Sequence, residues 1–295
     1  MFELFGIPST VLLGQLLIGL INGSFYAMLS LGLAVIFGML NIINFAHGAQ
    51  YMMGAFAAYL LLQHADIGYW LALVVAPMLV GITGLAVERL FLRRLDKLDH
   101  LYGLLLTFGL ALIIEGLARN TFGSAGLPYS MPAELRGVQN LGFMYLPIYR
   151  VWVILASLAV CFGTWFAIER TKLGVYLRAA TENPALVRSF GVNVSRIVTL
   201  TYGFGVALAA FAGVMAAPIY NVSPQMGSQL IIVVFAVVVI GGMGSILGAI
   251  ITGFGLGIVE GLTKVMFPEA SSTVIFVFMT LVLLVKPAGL FGRTA

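Results

Sequence analysis

Five long stretches of the chain contain no Asp, Glu, Lys or Arg: Leu4 to Ala65, Ile67 to Val87, Val151 to Ile168, Ile197 to Val259 and Ala270 to Val285. A helix needs about 20 apolar residues to cross roughly 30 Å of hydrocarbon. On that measure the first stretch holds two spans, or three with almost no loops, and the second holds one. The run from Leu101 to Ile114, extended past Glu115 to Ala118, predicts another span, and residues 150–168 a further one. Between Arg196 and Lys286 the apolar chain is too long for two spans. Four are predicted, near 197–217, 227–243, 244–263 and 271–286. The expected fold is an all-α polytopic membrane protein with about nine transmembrane helices (eight to ten), in one transmembrane domain over residues 1–295.

Positive charge sets the parity. Arg89, Arg93, Arg94 and Lys97 share one connection, and Arg170, Lys172, Arg178, Arg188 and Arg196 share a second. Lys286 and Arg293 mark the C-terminus. The positive-inside rule puts all three in the cytoplasm, so an even number of spans separates each pair. Two spans within 4–65 leave the N-terminus outside and three would bring it inside. No Lys or Arg precedes Arg89 to choose between them. The N-terminus lacks the positive region of a cleaved signal peptide, and its apolar stretch is too long for one. The external segment is expected at 120–149, a partly ordered loop holding Pro128, Pro132 and Pro147. Sequons at Asn22 and Asn193 fall in a span and a cytoplasmic loop and are read as chance; a third stands at Asn221.

Composition adds exclusions. The chain is 61% hydrophobic and 9% charged, against roughly 45–50% and 25% in soluble domains. An ordinary soluble enzyme, a disordered chain and a nucleic-acid binder are ruled out. The single cysteine, Cys161, forms no internal disulfide.

Polar residues interrupt the first stretch. Asn41, Asn44 and His47 are spaced by three and would share one helical face. They read either as a cavity-lining face, with a helix break near Gly48, or as hydrogen-bonding glue between helices. Asn22, Gly23 and Ser24 interrupt the preceding span in the same way, with glue favoured. His47, His64 and His100 show no metal-ligand spacing. Glu115 and Arg119, four apart, read as a local pair. In the second half Gly244 and Gly248 are four apart, as are Gly253, Gly257 and Gly261; this small-residue spacing predicts close helix packing. Gly242-x-Gly244 lacks the third glycine and the flanking strand of a dinucleotide loop, and no phosphate-binding G-x-x-x-x-G-K-[ST] occurs.

The cytoplasmic loop at 170–196 carries the clearest local signals. Asn183 is a good N-cap, Pro184 suits the first helical position and Gly191 suits the residue after the end. They predict a two-turn helix at about 184–190. Its Ala185, Leu186, Val187 and Phe190 would form an apolar surface with nothing of its own to bury it. A partner groove is favoured over a helix lying on the membrane with Arg188 toward the headgroups.

With these residues in view, the chain resembles the shorter permease subunit of the branched-chain amino-acid ABC importers, a type II importer permease. The matching stretches are Gly19-Leu-Ile-Asn-Gly-Ser-Phe-Tyr-Ala27, Asn41-Ile-Ile-Asn-Phe-Ala-His-Gly48 and Gly241-Gly-Met-Gly-Ser245. The loop matches through Gly174, Arg178, Ala179, Ala180, Glu182, Asn183, Ala185 and Gly191. The resemblance implies a bacterial inner-membrane protein, in contact with membrane lipid, that pairs with a related, longer permease. It also implies two cytoplasmic ATPase subunits, which use ATP and Mg, and an external or periplasmic binding protein. No cofactor is expected on this chain. In such importers the loop holds the helix that couples to the ATPase, and Arg178 to Gly191 match it. Gly174, Pro184, Leu186 and Val187 complete the expected coupling set. Asn22, Ser24, Asn41, Asn44, His47 and Gly48 are the expected path residues, and Gly244, Gly248, Gly253 and Gly257 the packing residues. Related importers move urea, short amides or other small solutes. An ion-coupled secondary transporter is the competing reading. It would need carboxylates near the bilayer midplane, whereas Glu88, Glu115, Glu169 and Glu260 are expected near span ends. A membrane-embedded enzyme would need a catalytic cluster, and the sequence shows none.

Overall fold

The uncharged stretches are almost wholly helical in a computed structural model, which describes residues 3–4, 7–40, 43–95 and 98–292. A short antiparallel pair, β1 (Glu3–Leu4) and β2 (Ile7–Pro8), leads into α1 (Ser9–Leu40). Then come α2 (Ala46–Ala65) and α3 (Tyr69–Val87), which passes through a π turn at Glu88–Leu92 into α4 (Arg93–Leu95). α5 spans His100–Phe122 and α6 spans Ile148–Glu169. Two short helices follow, α7 (Lys172–Glu182) and α8 (Pro184–Ser189), and then α9 (Val194–Tyr220). α10 (Met226–Gly241), α11 (Ile246–Met266) and α12 (Val274–Val285) complete the order.

Among the described residues six helical segments are long and apolar enough to cross a membrane: Ser9–Gly38, Tyr69–Leu95, His100–Phe122, Ile148–Glu169, Val194–Tyr220 and Ile246–Met266. α10 and α12 are apolar but shorter. α2 has the length, but Gln50, Gln63 and two histidines dilute it.

α1 is the hub. Its most apolar window is 83% buried, against 17% for α5. α11 runs antiparallel along it with backbones almost touching. A Cβ on Gly253 would fall 2.5 Å from the Ala27 Cα, and one on Gly19 would fall 2.5 Å from the Gly257 carbonyl oxygen. Side chains could not fit there, so the glycines set the helix separation. Gly248 packs instead on Gly241 of α10. Gly244, which spacing placed on the same helix as Gly248, lies before α11 with φ +81° and packs on Gly38. The turn at the foot of α10 needs the left-handed conformation that glycine adopts freely, so the helix predicted at 244–263 begins instead at Ile246. The chain beyond α12 folds back here. Leu290 N–H donates to Ile240 O at 2.8 Å and Phe291 N–H to Gly241 O at 3.1 Å, satisfying carbonyls at the end of α10.

The expected loop at 120–149 contains a 3-10 turn (Ala133–Leu135) and an antiparallel hairpin of β3 (Val138–Asn140) with β4 (Tyr145–Pro147). Aromatic residues anchor it. Tyr149 OH donates to Met215 O at 2.8 Å, and Trp152 Nε1 donates to Tyr69 OH at 3.1 Å. Burial pushes the Tyr129 phenol up to about 12, so it stays neutral.

Candidate functional site

At the cytoplasmic pole the expected loop is built from helices. Thr171 caps α7 by accepting from Leu173 N–H at 3.3 Å. Gly174 is pressed against the Ile168 carbonyl so closely that a Cβ there would overlap it, which fixes the turn from α6 into α7. Arg178 binds Glu169 at 3.1 Å and reaches Ile168 O at 3.4 Å, tying α7 back to α6. The Asn183 side chain accepts from Leu186 N–H at 3.0 Å with Pro184 opening α8, and Gly191 has φ +79°.

This geometry corrects the apolar surface read from the sequence. Val187 is buried with Ala180 and Val194, and Ala179 packs against that cluster. At about 100° per residue Val187 lies on the far side of α8 from Ala185, so one of the four apolar residues turns inward and holds the helix. Ala185, Leu186 (53% exposed) and Phe190 (76% exposed) remain outward, beside exposed Glu182 and Arg188.

The polar interruption at the start of α2 forms a second feature. Asn41 lies outside the described residues. Asn44 precedes α2 rather than lying on it, so Asn44 and His47 do not share a helical face. The break falls between Leu40 and Ala46, and Gly48 sits inside the first turn of α2. Asn44 Oδ1 accepts from Ala46 N–H at 3.1 Å, and its Nδ2 donates to Gln50 Oε1 at 3.1 Å. Gln50 donates in turn to Tyr202 OH at 3.4 Å. His47 Nε2 lies 3.0 Å from Leu29 O, so it carries the proton, and Nδ1 has no partner among the described residues. The Asn44, His47, Gln50 and Tyr202 side chains are all buried in protein. Gly48 brings α2 onto α10: a Cβ there would fall 2.6 Å from Gly227 O. Gln50 escaped the sequence reading because its three-residue spacing from His47 looks like any other helix position.

Ser24 spends its hydroxyl on Leu20 O at 2.9 Å, whereas Asn22 accepts from Tyr220 OH at 3.1 Å. Glu115 and Arg119 pair at 2.8 Å. Two other carboxylates bind across helices. Glu88 is buried in the π turn and accepts from the Thr199 hydroxyl on α9. Glu260 accepts from Tyr26 OH across α1 and α11 at 2.7 Å. The helical segments continue past both, through Arg89, Arg93 and Arg94 after Glu88 and through Lys264 after Glu260. Among the described residues no cluster of three or more His, Cys, Asp or Glu could hold a metal. A separate cleft of about 350 Å³ between α2, α3 and α5 is walled by apolar side chains, among them Met52, Phe56, Leu79 and Leu117.

Comparison with known proteins gives the family. The family described as the branched-chain amino acid transport system permease component matches residues 15–284. The high-affinity branched-chain amino acid transport system permease protein LivH of Escherichia coli is 31% identical over 297 aligned residues, covering 95% of this chain and 96% of that protein. BraD of Pseudomonas aeruginosa, a permease protein of the same description, is 29% identical, again over 95% and 96%. LivM of Escherichia coli is 28% identical, covering 91% of this chain and 68% of that longer protein. No solved structure gives a significant match.

Proposed function

Because the chain belongs to the branched-chain amino acid transport permease family, we propose that it forms half of the translocation path of an ATP-driven importer for those amino acids in a bacterial inner membrane. The match across residues 15–284 carries this reading. The family is one of transport permeases, not of catalysts, and this chain is the permease subunit of such an importer.

The arrangement supports nine crossings: α1, α2, α3 with α4, α5, α6, α9, α10, α11 and α12. The basic connections then face the cytoplasm, and the β3–β4 hairpin faces outward. A second, related permease completes the path, two ATPase subunits supply energy from ATP and Mg, and an external binding protein delivers the solute. α8 is the coupling element. It is capped by Asn183, pinned from behind by Val187 and presents Ala185, Leu186 and Phe190 to a groove on the ATPase. Gly174, Arg178, Ala179 and Glu182 fix or flank its position. It leads directly into α9, which packs on α1, α2 and α3, so displacement of α8 reaches the centre of the bundle. The mechanism is alternating access: ATP-driven closure of the ATPases moves the coupling helices, and the path opens to one side at a time. Asn44, His47 and Gly48, with Asn22 and Ser24, border the moving helices, and Asn41 is proposed to belong to the same path. The Asn44–Gln50–Tyr202 network ties the start of α2 to α9 and must shift when α9 does.

Tagged chain, extracted from the membranes of the cell that makes it, should purify with a second permease and two copies of ATPase. Hydrolysis by that complex should rise when loaded binding protein is added. Purification of this chain alone, from membranes that contain the other subunits, would sink the reading.

A further inference from the structure

Glu260 is the one acidic residue between Glu182 and Glu269. It lies inside a helix long enough to span the membrane, six residues before the end of α11 at Met266, or about 9 Å at 1.5 Å per residue. An acidic side chain at that depth is costly, and such residues mark paths for polar solutes and ions. Its partners among the described residues leave it incompletely paired. Tyr26 OH donates to one carboxylate oxygen at 2.7 Å. Lys264, one turn further out and 46% exposed, approaches the other only to 3.8 Å. Nor is the Tyr26–Glu260 bond needed to hold α1 to α11. Their backbones already meet through Gly19, Gly23, Gly253 and Gly257.

A second polar pair sits beside the first. Asn22 is one turn before Tyr26 on α1, so the two share a face. Its Oδ1 accepts from Tyr220 OH at 3.1 Å, and the Tyr220 ring meets Phe25 edge-on at 5.6 Å. Asn22 Nδ2 makes no hydrogen bond among the described residues. Tyr220 is 47% exposed at the end of α9, and the Glu260 side chain is 12% exposed, so neither pair is wholly enclosed by this chain. A carboxylate held by one phenol and an amide held by another therefore stand side by side on α1, α9 and α11.

We propose that Glu260 and Asn22, positioned by Tyr26 and Tyr220, form a contact site for a zwitterionic amino acid in the outer third of the path. The Glu260 carboxylate takes the ammonium group in place of Lys264, and the Asn22 amide donates to the solute carboxylate. The site rests on the permease reading above and adds that this chain senses the charge of the solute after the binding protein has released it.

The test compares Glu260→Gln with Tyr26→Phe in proteoliposomes holding the full complex, with saturating binding protein and labelled leucine. Glutamine keeps an acceptor for Tyr26 and removes the charge; phenylalanine keeps the charge and breaks the bond. The contact site makes Glu260→Gln the worse variant, with initial uptake down about tenfold to a hundredfold, the range for a hydrogen bond to a charged group. Glu260→Asp should recover part of it. A packing role reverses the order, because Tyr26→Phe cuts the link between helices. That order, wild-type uptake in Glu260→Gln, or failure of Glu260→Gln to assemble would overturn the site. A wild-type complex that does not take up leucine at all would instead overturn the permease reading, and this site with it.

Discussion

Phe190 should carry much of the affinity for the ATPase while contributing almost nothing to folding. It is 76% exposed at the end of α8. A fully buried phenylalanine covers about 150–250 Å², so docking can remove roughly 150 Å² of apolar surface at this position. At about 25 cal/mol per Å² that is nearly 4 kcal/mol. Ordering the side chain reduces it, leaving about 2–4 kcal/mol, the range of an interface hot spot. Phe190→Ala should therefore weaken ATPase binding by about 30-fold to 1,000-fold, with stability changed by less than about 0.5 kcal/mol. Val187→Ala should do the reverse. Val187 is 7% exposed against Ala180 and Val194, so truncation loosens α8 from behind by about 1–2 kcal/mol and affects binding only through the misplaced helix. Ala185→Asp would bury an unpaired carboxylate in the contact, at several kcal/mol, and Asn183→Ala would lose a cap worth about 1 kcal/mol. The assay is titration of solubilised permease with purified ATPase, alongside thermal unfolding of the permease. Unchanged affinity in Phe190→Ala would mean that α8 does not dock there and lies instead on the membrane surface.

Three further outcomes are expected. With Cys161 replaced by Ser, a cysteine at exposed Ser130 should react with an impermeant thiol reagent in intact cells and one at exposed Ser189 should not; the opposite pattern would invert the topology. Gly257→Ala should prevent stable expression, because its Cβ would strike the Gly19 and Gly23 backbone, which cannot yield as a side chain would; normal yield and melting temperature would show that α1 and α11 can separate. Asn44→Leu strands the buried Gln50 Oε1 and Ala46 N–H, at about 1–3 kcal/mol each, and should slow transport in an assembled complex. Unchanged uptake, or a complex that falls apart, would limit the network to packing.

The apolar helices were legible because hydrocarbon solvates no charge. Runs without Asp, Glu, Lys or Arg therefore mark where the chain sits in lipid or packed protein, and the helices follow them. Asn183, Pro184 and Gly191 were legible for a different reason, since caps act through the nearest few residues. α7 was hidden by its charges: Lys172, Arg178 and Glu182 read as loop residues, although Thr171 was available as a cap. The direction of Val187 depends on α7 and α9 packing behind it, which no local pattern records. Asn44 was misplaced onto a helix because a spacing of three carries no information about where α2 begins. The Tyr26–Glu260 and Glu88–Thr199 contacts join residues more than 100 positions apart. Such contacts belong to the fold, and no local pattern records them.

Those two carboxylates make the energy source the sharpest question, because an ion-coupled carrier would also place acidic residues within its spans. The direct measurement is leucine uptake into proteoliposomes containing the complete complex, with ATP supplied to the ATPase side, binding protein on the other, and ionophores that collapse proton and sodium gradients. Uptake that requires ATP and binding protein and continues with the ionophores present is the predicted result. Uptake that continues without ATP and stops when the gradients collapse would contradict it.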